Sequence, residues 1–265
     1  YMLIKYVEQF YNDESLIGKL SNVWGIKSYN LAKLKYNSQY PLTYLHMVRT
    51  GRDQALNTPK DQLLKFNANL SSKYKAALGL IYLEDYIENS KVEDWIKELV
   101  NTPKQELLTT ERFKTFIKSK TTKDIDWFFD SYLTNAKQID YKISEVSSSK
   151  DSIYITVKNK KSGQRPISIF MLKDGEVVSK QWLTGIGEKK QFVMPNLQAD
   201  KLVLNYDKKV PEFDIRNNWK SISGTSLFIK PLQVRFFKDV ESPHDNQLYF
   251  LPIIEFKNIY DGLNL

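Results

Sequence analysis

The sequence contains no cysteine among its 265 residues. That excludes a disulfide framework and any cysteine-ligated metal centre. Histidine occurs only twice, as His46 and His244. Neither has a second histidine one helical turn away, so the pattern offers no histidine-based zinc site within this chain. Glycine is sparse, and no Gly-rich phosphate loop is present; Gly185-Ile-Gly187 lies between two strand-like runs and reads as a turn. No Gly-x-Ser-x-Gly nucleophile elbow occurs. No apolar run approaches the ~20 residues of a membrane helix, and no secretory leader opens the sequence. The first residue, Tyr1, falls inside what already reads as a helix, as expected of a piece excised from a longer protein.

What the sequence does contain is core material. Hydrophobic residues make up 42% and charged residues 26%, which suits a folded chain rather than a disordered one. The net charge of +8 permits a polyanionic partner without demanding one. The densest basic stretch, Lys158 to Arg165, contains Gly163 and separates two strand-like runs, so it reads as a solvated hairpin tip and no nucleic-acid partner is expected. The 16 Tyr, 14 Phe and 5 Trp could line a glycan or peptide groove, but most fall on apolar stripes and read as core.

The period of those stripes changes once. Ile125, Phe128, Phe129, Tyr132 and Leu133 recur at helical spacing over 122–134, with Thr121 and Asp124 as a capping box. Ile139, Tyr141 and Ile143 then alternate with polar residues, as a strand does. Upstream, stripes predict helices near 2–10, within 16–36, over 72–87 with Ser71 as cap, near 92–99 and near 110–117. In the 72–87 helix the predicted stripe is Ala76, Leu80, Leu83 and Ile87, with Ala77 and Ile81 beside it and with Ala76 and Gly79 small enough for close approach of a neighbour. A polar loop, Arg49 to Pro59, interrupts this half. Downstream, six alternating runs are separated by turns, including Asp174-Gly175. The fold class is therefore α+β in two modules. An all-α helical module (1–136) precedes a small antiparallel β-sandwich (138–216) and an extended tail (217–265) with no assigned fold.

The order of motifs resembles one family. Arg52-Asp-Gln-Ala-Leu-Asn-Thr-Pro59, Ser72-Lys-Tyr-Lys-Ala-Ala-Leu-Gly-Leu-Ile-Tyr-Leu-Glu84, Asp124-Ile-Asp-Trp-Phe-Phe-Asp-Ser-Tyr-Leu133 and Ile139-Asp-Tyr141 are similar to divergent bacterial members of the aminopeptidase-N-type gluzincin metallopeptidases, over residues 1 to about 218. The resemblance implies a segment C-terminal to the His-Glu-x-x-His helix. Zinc, its ligands and the catalytic glutamate would then belong to the upstream part of a parent protein, with no cofactor held here. The family keeps an oxyanion-stabilising tyrosine in the pattern Tyr-x-Lys-Gly-Ala. Matching Lys75-Ala76-Ala77 to Lys-Gly-Ala puts Lys73 at the tyrosine position and Tyr74 beside it. These two are the candidate catalytic residues. Tyr74 lies a helical step of about 100° away and shares a face with Ala77, Leu78 and Ile81, which favours packing. A weaker resemblance, over Leu251 to Leu263, is to segments that lead into an outer-membrane β-barrel, and implies a periplasmic setting with possible outer-membrane association. The resulting expectation is a portion of a metallopeptidase that walls the peptide cleft, braces the catalytic domain and is silent alone. The alternative is a non-enzymatic module whose sandwich grips a glycan or protein, or, on charge alone, a polyanion.

Overall fold

The computed structural model describes residues 1–88, 91–101, 109–222 and 229–252, and the backbone of 255–256 and 263–264. The chain is α+β. Helices α1 (Met2–Phe10), α2 (Asn30–Lys33), α3 (Gln39–Arg49), α4 (Ser72–Ile87), α5 (Val92–Val100) and α6 (Thr110–Lys120) precede strands β1 (Tyr141–Ser148), β2 (Ser152–Asn159), β3 (Ile167–Lys173), β4 (Glu176–Leu183), β5 (Lys189–Pro195), β6 (Lys201–Leu204) and β7 (Trp219–Ser221). Thr109 caps α6 by accepting from the Arg112 N–H at 3.2 Å. Pro41 sits in the first turn of α3, where its missing N–H costs nothing, so it does not interrupt the helix.

Four helical expectations need correction. Residues 16–36 hold a 3-10 turn (Gly18–Asn22), the four-residue α2 and the first residue of another 3-10 turn (Tyr36–Ser38), because Trp24 and Leu20 face solvent instead of a neighbour. Ser71 does not cap α4 with its side chain; a π-helical turn, Asn67–Ser71, runs straight into the helix. The stripe over 122–134 is shorter than its periodicity, and the turn Phe128–Tyr132 is π-helical, with the Leu133 N–H donating to Phe128 O at 3.0 Å. Thr121 and Asp124 form no reciprocal box. Thr121 accepts from the Lys123 N–H, and Asp124 from the Asp126 N–H at 2.9 Å.

The strands follow the alternating runs. Sheet β1-β2-β5 and sheet β4-β3-β6-β7 are antiparallel throughout. At the β3–β4 hairpin Asp174 and Gly175 both adopt positive φ, as a tight turn between right-twisted strands requires. Ile143, Ile153, Ile155 and Val157 from the first sheet meet Ile169, Met171, Leu202 and Leu204 from the second in a single apolar core. That core continues across the junction into Tyr82, Leu83, Tyr86, Phe128, Phe129 and Tyr132. Trp182 of β4 joins the two halves: its ring stacks on Tyr82 (6.0 Å) and meets Tyr86 edge-on (5.2 Å). Central β3 is buried on both faces, its second side (Phe170, Leu172) covered by Val203, Tyr206 and Trp219.

The tail contributes a two-stranded parallel ribbon, β8 (Leu232–Phe236) and β9 (Asn246–Phe250). It packs on the helical half by its polar side. Asp239 accepts from the Asn30 and Leu31 N–H groups at 2.7 and 3.2 Å, Arg235 donates to Ser28 O, and Tyr29 donates to Phe236 O. Leu232, Val234, Phe236, Leu248 and Phe250 face outward. A short antiparallel pair, β10 (Glu255–Phe256) and β11 (Leu263–Asn264), follows. The stretch Leu251 to Leu263 lies mostly outside the described residues.

Candidate functional site

Helix α4 is buried on more than one side: Leu83 and Ile87 of the predicted stripe and the flanking Ala77 are buried, and so is a second side outside that stripe. Lys75, Gly79, Tyr82, Leu83 and Tyr86 are buried, whereas Ala76 and Leu80 are only half-covered. Gly79 is small because Tyr132 fills the space where its side chain would be. The Tyr132 hydroxyl donates to Lys75 O at 2.7 Å, so the π-helical turn is bonded to the first turns of α4.

Lys75 is the centre of a buried polar node. Its Nζ donates to both carboxylate oxygens of Asp53, at 3.1 and 2.9 Å, and to Gln54 O at 2.8 Å. An ammonium has three protons, so all three are committed. Gln138 Nε2 donates to the same carboxylate at 2.9 Å. Burial pulls the Lys75 pKa down, and the Asp53 carboxylate opposes that pull. Tyr44 and Tyr132, buried around the node, have hydroxyls pushed well above the ordinary range, burial being the main cause. The arrangement therefore anchors the 50–59 loop to α4. The Lys75 ammonium has no proton left for a reacting oxygen.

The two candidate catalytic residues stand apart from the node. Lys73 is exposed. Tyr74 is half-buried, edge-on to Tyr40 at 4.7 Å, in a small cluster with Ile4, Ala77, Leu78 and Ile81. Arg165, the end of the basic tract, is buried: it donates to Lys137 O at 2.7 Å and lies over the Tyr132 ring. Lys158, Lys160 and Lys161 of that tract are exposed.

Two of the surface cavities lie near these elements. The larger, about 570 Å³, lies between α1, α4 and the loop after β6. Ion pairs cross it or line it: Lys5 with Glu84 (2.7 Å), Lys180 with Asp85 (2.5 Å) and Asp207 (2.9 Å), and Lys209 with Asp85 (2.8 Å). Burial works against the Lys180 ammonium, but Asp85 and Asp207 outweigh it and hold its pKa up. The smaller cavity, about 260 Å³, is lined by His46, Met47, Arg52, Leu64 and Phe66. The other histidine, His244, packs edge-on to Tyr206 and Trp219, and burial with Lys208 and Lys230 lowers its pKa to about 4. The two histidines thus belong to different neighbourhoods. Among the described residues no group of three or more His, Asp or Glu side chains is placed to hold a metal ion.

Sequence reading missed the node because its partners are 22 positions apart and nothing in a lone lysine announces burial. The one available signal was Asp53 in a polar loop.

No family model matches the chain, and no curated protein does. Among solved structures, Legionella pneumophila aminopeptidase A in complex with aspartic acid aligns at a TM-score of 0.48 and 15% identity, over 66% of this chain. This chain spans 23% of that enzyme's length. A β-glucosidase from Kluyveromyces marxianus aligns at a TM-score of 0.20 and 14% identity, over 28% of this chain and 13% of its own. Neither likeness is close enough to carry an argument about this chain.

Proposed function

We propose that this chain is the C-terminal, non-zinc portion of a gluzincin-type metallopeptidase, walling the peptide cleft and bracing an upstream catalytic domain of the same polypeptide. The support from the residues is the motif order over 1 to about 218. The structural observation that carries the bracing role is helix α1. Its Ile4 and Val7 are buried, yet Leu3, Tyr6 and Phe10 on other sides are 58%, 51% and 60% exposed. A helix apolar on more than one side is ordinarily covered on each of them. Tyr6, Phe10 and Tyr11 form one aromatic cluster, with centroids at 4.9 and 5.8 Å from Tyr6. On this reading the catalytic domain covers that cluster. Zinc and its ligands reside there, and Tyr74 packs while Lys73 remains solvated. A periplasmic setting, with outer-membrane association through a downstream segment, belongs to the same reading. The outward apolar side of the β8–β9 ribbon is a further surface for a partner.

The test is co-expression of this chain with the polypeptide encoded immediately upstream. The pair should co-purify, carry zinc and cleave a fluorogenic aminoacyl substrate. Tyr6→Ser with Phe10→Ser should abolish the association without unfolding this chain. The chain alone should hold no stoichiometric zinc and show no turnover. One equivalent of zinc on the isolated chain, or chelator-sensitive turnover by it, sinks the proposal. An upstream polypeptide without His-Glu-x-x-His would favour the rival, a non-enzymatic binding module.

A further inference from the structure

The smaller cavity has a property that the peptidase reading does not use. Its floor is apolar, formed by buried Met47 and by Leu64 and Phe66, which are 47% and 45% exposed. His46 and Arg52 complete the lining, whose surface is almost wholly apolar. The Arg52 guanidinium makes no hydrogen bond or ion pair among the described residues. The next residue, Asp53, turns inward, its side chain 7% exposed and bonded to Lys75 and Gln138.

The walls are fixed by hydrogen bonds, so the cup is preformed. The Arg52 N–H donates to Met47 O at 2.8 Å, and Arg52 O accepts from Asn67 Nδ2 at 2.9 Å. Gln54 Oε1 accepts from the Leu64 N–H and from Asn67 Nδ2, both at 2.7 Å, and Gln54 Nε2 donates to Gln62 O. Through Asp53 the loop is also tied to the Lys75 node. Preorganisation of this kind lowers the ordering cost of binding.

We propose that this cup binds the C-terminal residue of a peptide bearing a large apolar side chain, with the carboxylate on Arg52. A cavity of about 260 Å³ is the size of one side chain rather than of a cofactor. A guanidinium with an open fork matches a carboxylate bidentately. None of the five lining residues is acidic, so a free amino acid would find no partner for its ammonium and would set it beside Arg52. An acylated amino group carries no such charge, which selects a peptide terminus over a free amino acid. The inference does not depend on a catalytic partner, and it is tested on this chain as it stands.

Isothermal titration with N-acetyl-L-phenylalanine should show saturable binding. N-acetyl-L-phenylalaninamide and free L-phenylalanine should each bind at least about tenfold more weakly, and added salt should weaken only the acid's advantage. Arg52→Gln should erase the preference for the acid over the amide, and its exposed side chain makes unfolding avoidable, which a denaturation midpoint checks. Phe66→Ala should weaken acid and amide together. No binding of the acid, equal binding of acid and amide, or an unchanged preference in Arg52→Gln would overturn the proposal. Tighter binding of free phenylalanine would overturn the choice of a peptide terminus.

Discussion

Gly79 of α4 lies so close to Tyr132 that a Cβ built on it would stand 2.3 Å from the tyrosine Cε1. Tyr132 cannot swing away: it is fully buried, its hydroxyl is bonded to Lys75 O, and its ring stacks on Phe128. The helix and the π-helical turn are therefore matched to within one methyl group. Gly79→Ala should destabilise the chain by about 1–3 kcal/mol, the usual cost of overpacking, despite the higher helix propensity of alanine. Gly25→Ala, where nothing lies within 4 Å, is the control. Urea denaturation of both variants checks the pair, and a neutral Gly79→Ala would show that the two elements can separate.

Phe128 is 2% exposed and lies parallel to Tyr132 at 5.6 Å. It also meets Trp127 and Phe129 edge-on. Phe128→Ala should cost about 3–5 kcal/mol, the transfer term plus that of the cavity left behind. A loss below about 1 kcal/mol in chemical denaturation would mean that this turn is no part of the core.

These two residues also mark how far the sequence reaches. The burial of Phe128 and the need for a small residue at 79 were both legible, from spacing and size. The π-helical geometry was not, because one extra residue in a turn leaves nearly the same apolar positions facing inward. The six strands between 141 and 204 were legible because side-chain alternation and the Asp174-Gly175 turn agree. On helix α4 the burial of Ala77, Leu83 and Ile87 was legible, but that of Lys75, Tyr82 and Tyr86 on another side was not, because no single stripe describes a helix covered on two sides. At the site, Arg52 and Asp53 stood out only as parts of a polar loop. Their opposite fates, one facing a cavity and one locked inside, depend on Lys75 folding back onto the loop.

The Lys75–Asp53 pair is nearly sealed from solvent, with side-chain exposures of 2% and 7%. Removing one partner of such a pair strands the other charge in the interior, at a cost of about 3–5 kcal/mol. Lys75→Met should therefore be strongly destabilising, as should Asp53→Leu. The double variant should be less destabilised than the sum of the two, because no charge is left behind. Denaturation of all four chains closes the cycle. Amide exchange in residues 52–58 should accelerate in the single variants ahead of the sheets, since that loop loses its tether. Additive single effects would mean that the two charges do not interact.

Stability should depend on pH through Glu212 and His244, which act in opposite directions. Glu212 is buried, its Oε1 accepting from the Tyr141 N–H at 2.7 Å and its Oε2 from Asn218 Nδ2 at 2.8 Å. Burial pushes its pKa up to about 8, Asp140 adds to the rise, and the N–H donors oppose it. In the folded chain it therefore keeps a proton that the unfolded chain has lost. The stabilisation is complete below about pH 4.5, falls as pH rises, and is gone above about 8. His244, lowered to about 4, stays neutral where the unfolded chain binds a proton, so it adds stability as pH rises from about 4 towards an unfolded value of about 6.5. The two slopes offset one another between roughly pH 4.5 and 6.5; between roughly 6.5 and 8 His244 drops out, and Glu212 is opposed only in part by the half-buried Tyr1 α-amino group, whose pKa burial lowers. Denaturation midpoints should be nearly level over the first interval and decline over the second. Glu212→Gln should remove the decline and expose the rise due to His244, whereas His244→Phe should give a continuous fall from about pH 4.5 to 8. A midpoint that rises between pH 6.5 and 8 in the unmodified chain, or a decline that survives Glu212→Gln, would remove Glu212 from this role.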